Sequence, residues 1–217
     1  MRKSLILFIS SIAFSCSNDN KEKDKHTVFS YNETAGITSL DPAAASSFEN
    51  IWGVNQLFNG LVEMDDELTV QPAIAKRFSA SNDGLVYTFN LRTDVYFHND
   101  KSFPDSKGRK VVADDFVYSF TRLFDSKVSS ALSLLDNIDM SEGKGISAPN
   151  DSTLKIYLKE PFGAFMSMLT MKYFSVLPKE AVEYYKQDFR KNPVGTGPFM
   201  FKLWEEGAKL ILHKNPN

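Results

Sequence analysis

Two adjacent carboxylates, Asp114 and Asp115, are the first residues whose type and spacing could support chemistry. A pair of carboxyl groups can divide the roles of general acid and general base between them. This pair lies where apolar residues begin to recur at helical spacing, and adjacent residues of a helix point about 100° apart. The two side chains would not face one substrate atom, so we interpret them as anions that stabilise the positive end of a helix.

The three histidines are the next candidates for catalysis or metal binding. His98 lies in a polar segment and could act as a general base, but no nucleophile motif accompanies it, so we predict a surface histidine. His26 and His213 lie in different parts of the chain, which does not favour a shared metal site. The sequence therefore predicts no metal ligands and no cofactor.

A glycine-rich stretch, Gly195-Thr196-Gly197, resembles a phosphate-binding loop only superficially. It lacks the lysine and the helix start of a phosphate cradle, so we interpret it as a tight turn. The patterns GxSxG, HExxH and CxxC are also absent from the sequence. Without a nucleophile, base or metal motif, the sequence predicts a protein that is not an enzyme.

Composition and charge narrow the class of protein further. The chain has 217 residues, of which 42% are hydrophobic, 13% aromatic and 24% charged. This composition is typical of a globular protein with one large domain or two small ones. The net charge of −2 lacks the basic excess of a nucleic-acid-binding protein. The single cysteine excludes a disulfide framework within the chain.

The beginning of the chain has the pattern of an export signal. Arg2 and Lys3 precede an apolar stretch over 5–14 that is too short to span a bilayer, and small residues precede Cys16. We predict a lipoprotein signal peptide over 1–15, Cys16 as the acylated first residue of the mature protein, and a flexible tether over 16–26. A plain secretory signal that happens to contain a cysteine is the alternative. Both place the protein outside the cytoplasm.

The folded part is predicted to be mixed α/β, because helical and alternating apolar patterns interleave irregularly. Ser46 or Ser47 could cap the first helix, whose apolar residues recur at helical spacing as far as residue 61. Turn residues over 81–84 predict a hairpin. The other predicted helices begin near 114 or cover 162–171 and 179–189, and the predicted strands cover 27–31, 85–91, 154–158, 199–204 and 209–213.

Seven short motifs follow one another along the chain. They are ITSLDP at 37–42, LFNGLV at 57–62, PAIA at 72–75, SNDGLVYTFNLRTDVYF at 81–97, VADDFVYSF at 112–120, TLKIYL at 153–158 and PVGTGPF at 193–199. In this order and spacing they resemble the extracytoplasmic solute-binding proteins of the oligopeptide/dipeptide ABC-importer family, solute-binding protein family 5. The resemblance covers residues 27–217. The polar loop over 98–110 is longer than the short turn usual in that family.

The resemblance implies a periplasmic-binding-protein-like fold of class II, in which two lobes close on a ligand like a hinged clamp. Mapped onto this sequence, it implies a first-lobe core over 27–58 and 179–217 and a first-lobe subdomain over 59–178. Family members are much longer than this chain, so we expect only the first lobe, and that lobe incomplete. We therefore expect weak or no ligand binding by the 217 residues alone.

The resemblance also implies where a ligand would lie. In peptide-binding relatives the stretch after the SLDP-like turn pairs with the main chain of the ligand, which carries over to Ser46, Ser47 and Phe48. Main-chain hydrogen bonds give affinity for an extended peptide without reading its side chains. The residues themselves leave an alternative open, with Ser46 or Ser47 as a helix N-cap and Phe48 as a core residue.

The function implied by the resemblance is that of the solute-binding component of an ABC importer. Such a protein, anchored by lipid to the bacterial cell envelope, captures peptides and delivers them to a membrane permease. Relatives also carry nickel chelates or sugars, so the identity of the solute stays open. The alternative hypothesis is a lipid-anchored, one-lobe interaction module without transport function. An extracytoplasmic hydrolase is disfavoured, because the sequence has no catalytic motif.

Overall fold

The computed structural model describes residues 28–129 and 131–216. The signal peptide predicted over 1–15, Cys16 and the tether predicted over 16–26 lie outside the described residues. Of the described residues, 28–32 belong to one unit and residues from 33 onward to a second, compact unit. Among the described residues, no helix is both long and apolar enough to cross a membrane.

The first predicted strand is wrong within its described residues. Residues 28–31 form no strand, and the side chains of Val28 and Phe29 are 81% and 85% exposed. A strand is stable only when its N–H and C=O groups pair with a neighbouring strand. The sequence pattern supplied apolar residues here, but no described strand pairs with them.

The second unit contains four α-helices and eight strands among its described residues. The helices are α1 (Phe48–Leu57), α2 (Ala113–Arg122), α3 (Phe165–Met168) and α4 (Lys179–Tyr185). The strands are β1 (Val62–Met64), β2 (Val70–Pro72), β3 (Ala75–Ala80), β4 (Val86–Leu91), β5 (Ile146–Asn150), β6 (Thr153–Tyr157), β7 (Phe199–Glu205) and β8 (Lys209–Lys214). The mixed α/β class predicted from the sequence is therefore confirmed.

Four antiparallel strands form the central sheet, in the order β3-β4-β6-β5. The predicted hairpin is confirmed, because Ser81 to Gly84 join β3 to β4 and Gly84 has the positive φ of +69° that its turn requires. Helix α2 packs against β5 and β6. Alternate residues of β4 and β6 point into the core, where Phe89, Leu154 and Ile156 are fully buried.

Helix α2 begins at its acidic pair, as the sequence predicts, and Asp115 makes contacts beyond the helix start. The carboxylate of Asp115 accepts a hydrogen bond from the Val112 N–H at 2.9 Å, and it binds the Arg109 guanidinium at 2.6 Å. Arg109 also binds Glu180 of α4 at 2.6 Å, and these two carboxylates raise the pKa of Arg109 against the opposing effect of burial. Arg109 therefore links α2 to α4 through Asp115 and Glu180, and Asp115 also caps α2.

Both later helices are shorter than predicted. In the segment 162–171 only α3 is α-helical, because Gly163 and Ala164 form a turn before it. In the segment 179–189 the α-helix stops at Tyr185, where Lys186 has a φ of +50°, and a 3-10 helix continues over Lys186–Lys191. A positive φ is incompatible with a right-handed α-helix, so the chain changes helix type at this residue.

The predicted C-terminal hairpin is confirmed. Strands β7 and β8 pair antiparallel through a turn at Gly207, which has a φ of +73°. Strand β7 packs against α1, and Phe201 and Trp204 are half-buried against the core. The division into a core over 27–58 and 179–217 and a subdomain over 59–178 stays a prediction.

Candidate ligand-binding segment

The segment from Ser46 to Phe48, the predicted ligand contact, lies on the surface between a 3-10 turn and α1. Ser46 and Phe48 are exposed and Ser47 is half-buried. The side chain of Phe48 is 80% exposed, so the alternative interpretation of Phe48 as a core residue is wrong. Trp52 lies one turn further along the same helix face and is 45% exposed. The exposed residues of this segment therefore lie next to two exposed aromatic side chains. Contact of the segment with a ligand stays a prediction.

Ser47 occupies the N-cap position of α1, as the sequence predicts, but its hydroxyl does not cap the helix amides. It instead makes a hydrogen bond with the Glu49 carboxylate, and this bond together with the Glu49 amide lowers the pKa of Glu49. The first N–H groups of an α-helix have no acceptor within the helix. The exposed ring of Phe48 lies at this helix start.

A buried asparagine fixes the loop that leads into this segment. Asn50 is 4% exposed, and its Oδ1 accepts hydrogen bonds from Thr38 N at 2.9 Å and Ser39 N at 3.2 Å. Its Nδ2 donates to Thr38 Oγ1 at 3.1 Å and to Ala44 O at 3.3 Å. One side chain therefore binds both ends of the loop over 38–44 to α1. Sequence reasoning missed Asn50. The one feature that could have identified it is a polar amide side chain next to the apolar residues of α1.

An ion pair holds the same loop from the other side. The Arg122 guanidinium, at the end of α2, donates to both carboxylate oxygens of Asp41, at 2.8 and 2.5 Å. Asp41 also accepts from Ala43 N at 3.0 Å, which begins the 3-10 turn Pro42–Ala44. Burial opposes the charge on Arg122, but Asp41 outweighs it and raises the pKa of the guanidinium. Sequence reasoning found Asp41 only as part of a turn.

His98 is not the surface histidine that the sequence predicts. It is 3% exposed, its Nε2 lies 2.9 Å from Gly197 O, and its Nδ1 accepts from Gly195 N at 3.4 Å. This pattern of one donor and one acceptor requires a neutral ring with the proton on Nε2. Burial lowers the pKa of His98, although the bond to Gly197 opposes this effect. His98 therefore fastens a distant segment instead of acting as a base.

The segment fastened by His98 is the glycine-rich stretch over 195–197, which is not the predicted tight turn. Residues 195 and 196 form no turn and Gly197 lies in a bend, and the stretch passes over the end of α1, where Gly197 N donates to Leu57 O at 2.8 Å. A Cβ on Gly195 would lie 2.0 Å from Leu57 O, so close approach of two backbones requires glycine here. Thr196 Oγ1 donates to Asn59 Oδ1 at 3.0 Å. The amides of both glycines have acceptors within the protein.

Ser46 also lines an open depression. Its other lining residues are Ala44 and the residues of the loop over 126–129. A cavity of about 50 Å³ beside His98, lined by Asp100, Tyr185 and Asn192 among others, has room for little more than a water molecule. Among the described residues, no group of three or more His, Cys, Asp and Glu side chains could hold a metal ion.

Comparison with known proteins gives the family. The family model described as "Bacterial extracellular solute-binding proteins, family 5 Middle" matches residues 69–217. The chain belongs to solute-binding protein family 5. This membership confirms the resemblance and the periplasmic-binding-protein fold that the motifs predicted.

The curated relatives of this family 5 chain are named as binding proteins. It is 34% identical over 173 residues to the probable di/tripeptide-binding protein 5 of Pseudomonas aeruginosa, covering 74% of this chain and 32% of that protein. It is 30% identical over 204 residues to the probable deoxycholate-binding periplasmic protein YgiS of Escherichia coli, covering 87% and 37%. The chain thus spans about a third of the length of these relatives.

Solved structures give the same picture of the family 5 chain. DppA of Helicobacter pylori, in complex with the peptide STSA, is 33% identical with a TM-score of 0.72, covering 83% of this chain and 37% of that one. NikZ of Campylobacter jejuni, in complex with Ni(L-His), is 32% identical with a TM-score of 0.69, covering 85% and 34%. The matched part fits one incomplete lobe of the two-lobed fold.

Proposed function

We propose that the protein is the extracytoplasmic solute-binding component of an ABC importer and that it captures peptides for a membrane permease. Family membership carries this proposal, because the model match covers residues 69–217. Peptides are favoured over other solutes because the relative from Pseudomonas aeruginosa is named as a di/tripeptide-binding protein and the one from Helicobacter pylori holds a peptide. Relatives named for deoxycholate and for a nickel complex mark the other solutes to test.

In this proposal the segment from Ser46 to Phe48 binds the main chain of the peptide. Two arrangements support it: the segment is exposed, and the loop before it is fixed to α1 by Asn50 and to α2 by the ion pair of Asp41. A segment whose preceding loop is already fixed loses little conformational entropy when a peptide binds to it. The exposed ring of Phe48 then packs on an apolar part of the same peptide.

The proposal places the protein outside the cytoplasm, with Cys16 acylated after removal of residues 1–15 and the tether over 16–26 between lipid and fold. Replacing Cys16 with Ser in the native gene tests this part. We expect the wild-type protein to incorporate labelled palmitate and to fractionate with membranes. The C16S variant is expected to do neither, and unchanged membrane association of that variant contradicts the lipid anchor.

Uptake of a labelled peptide tests the function itself. Deleting the gene in the organism that encodes it is expected to reduce uptake of labelled tri-alanine, and the native gene is expected to restore it. If deletion reduces uptake of an unrelated solute only, such as a nickel complex, and the native gene restores it, the peptide assignment is contradicted. Unchanged uptake of every solute after deletion favours the alternative, an anchored interaction module without transport function.

The main-chain contact has a matched pair of variants at Ser47. Ser47→Pro removes one main-chain N–H. In the full-length protein expressed from the native gene, it is expected to weaken peptide binding about tenfold. Ser47→Ala keeps the main chain and is expected to bind like the wild type. Equal binding by both variants contradicts a main-chain contact at this residue, provided that their thermal unfolding is also equal.

A further inference from the structure

The start of α1 combines a carboxylate with two exposed aromatic rings. Phe48 is 80% exposed and Trp52 is 45% exposed. Trp52 follows Phe48 by four residues and Glu49 by three, and residues at these spacings are neighbours on the surface of a helix. Helical side chains also lean toward the N-terminus of their helix, which brings Trp52 toward the turn that holds Phe48 and Glu49. The two rings and the carboxylate therefore share one surface.

The Glu49 carboxylate is held at the segment from Ser46 to Phe48, because it makes a hydrogen bond with the Ser47 hydroxyl. Glu49 belongs to none of the ion pairs that join the described residues. The positive end of a helix favours an acid in its first turn, which accounts for Glu49 as it does for Asp114 of α2. It does not account for the two exposed rings beside the carboxylate, since apolar surface gains free energy when it is removed from water.

Elsewhere in the described part of the chain, a carboxylate beside an aromatic ring holds an arginine. Three arginines each bind a carboxylate while the guanidinium carbon lies 5.3, 5.9 or 6.0 Å from the centre of a ring. They are Arg109 with Asp115 and Phe97, Arg122 with Asp41 and Phe189, and Arg190 with Glu206 and Trp204. The face of a ring attracts a cation, and the carboxylate adds a charge-assisted hydrogen bond. The start of α1 has the rings and the carboxylate of this arrangement, and a solute can supply the cation.

The side chains of arginine and lysine have the chemistry that completes this arrangement. The methylene stem of either packs on an aromatic ring such as that of Phe48, while the charged end reaches the Glu49 carboxylate. The planar guanidinium of arginine also stacks on a ring and donates two parallel hydrogen bonds to one carboxylate. A neutral side chain of the same shape gains only the contact with the rings.

We propose that Glu49, together with Phe48 and Trp52, binds a cationic group of the solute next to the segment from Ser46 to Phe48. This inference rests on the proposed function, because it assigns a charge preference to the same peptide site. The cation comes either from an arginine or lysine side chain or from the N-terminal ammonium of the peptide. The side chain is favoured, because the segment is proposed to bind the middle of an extended chain by its backbone.

The first experiment needs no peptide. The full-length protein expressed from the native gene is labelled with 5-fluorotryptophan, and the Trp52 resonance is identified by its loss in Trp52→Phe. N-acetylarginine amide is expected to shift this resonance to saturation, whereas N-acetylcitrulline amide, a neutral analogue of the same shape, is not. Trp204 is the internal control and is expected to respond to neither compound, because Arg190 already lies over its ring. Equal responses of Trp52 to both compounds overturn the proposal.

The second experiment separates the two sources of the cation by calorimetry. The full-length wild type is expected to bind Ala-Arg-Ala about tenfold more tightly than Ala-citrulline-Ala. Glu49→Gln is expected to lose this preference, whereas Asp114→Asn, which changes an exposed acid in the first turn of α2, is expected to keep it. Loss in E49Q of a preference for tri-alanine over its N-acetylated form instead assigns the site to the N-terminal ammonium. If E49Q keeps both preferences, the proposal is overturned.

The two experiments also separate this inference from the proposed function. If neither peptide binds the wild type while N-acetylarginine amide still saturates the Trp52 signal, the peptide assignment fails and the cation site stands. If peptides bind but neither preference depends on Glu49, the proposed function stands and the cation site fails. Thermal unfolding of E49Q shows whether the variant is folded, and the titration of the wild type decides the matter even if it is not.

Discussion

His98 should make the stability of this protein depend on pH in a way that one substitution removes. The buried ring donates from Nε2 to Gly197 O and accepts at Nδ1 from Gly195 N. His98→Phe keeps a ring of similar volume and removes both hydrogen bonds. Gly197 O still has the Asn215 amide at 3.1 Å, but Gly195 N–H loses its side-chain acceptor. An unsatisfied buried donor costs about 1–3 kcal/mol, so we expect the substitution to destabilise the protein by about 2 kcal/mol near neutral pH.

The pH dependence follows from the direction in which folding moves the pKa. Burial lowers the pKa of His98 in the folded protein, whereas an unfolded histidine titrates near its ordinary value of about 6.5. Below about pH 6.5 the unfolded chain therefore binds a proton that the folded protein excludes, and stability falls as the pH falls. One proton contributes at most about 1.4 kcal/mol per pH unit. The advantage of the wild type over H98F should thus shrink between about pH 7.5 and 5.5, by no more than about 1.4 kcal/mol for each pH unit below the ordinary pKa of histidine.

Urea unfolding at four or five pH values in this range measures both effects. His213→Phe is the control, because it replaces a histidine that is exposed on β8. Asp100 and Tyr185 line the same small cavity as His98. The range from about pH 7.5 to 5.5 brackets the ordinary pKa of histidine. A difference between wild type and H98F that stays constant, or grows as the pH falls, refutes this account of His98.

Three further substitutions test the contacts around the proposed site by chemical denaturation. Asn50→Leu leaves the N–H group of the buried Ser39 without its acceptor and is expected to cost about 1–3 kcal/mol, whereas a loss below about 1 kcal/mol contradicts its role. Gly195→Ala brings a Cβ to 2.0 Å from Leu57 O, so we expect this variant to remain unfolded. A melting temperature equal to that of the wild type would contradict the close approach of the two backbones. Arg122→Met leaves Asp41 buried without its partner, at an expected cost of about 3 kcal/mol. Arg122→Met combined with Asp41→Asn should recover part of that loss, and a simple sum of the two single effects would show that the residues do not interact.

The local elements of this fold could be predicted from the sequence where neighbouring residues determine them. Strand β4 alternates apolar and polar residues beside turn residues at 81–84. Helix α2 has an acidic pair in its first turn and apolar residues along one face. These signals are contained in a few consecutive residues. Family membership was predictable for a different reason, because seven motifs in a fixed order specify more than any one of them does.

The site depends on contacts that no short window of sequence contains. His98 lies in a polar loop, which predicts exposure, and its burial comes from glycines 97 and 99 residues further along the chain. Gly195 resembled a turn residue because its close partner, Leu57, belongs to another element. Phe48 resembled a core residue by its composition alone, although the loop fixed by Asn50 places it at the surface. Each error concerns a residue whose surroundings are set by distant parts of the chain.

The glycine-rich stretch over 195–197 affects how the chain reaches its fold. It covers the end of α1 and binds Asn59 and His98, which were synthesised 137 and about 100 residues earlier. Contacts between such distant residues form slowly, because a long loop must close before they stabilise anything. A nascent chain that has not yet extended past residue 197 therefore leaves the end of α1 uncovered and the ring of His98 without its two partners. We expect such a chain to stay loosely folded while it is being made, in the state that a membrane translocation channel can thread.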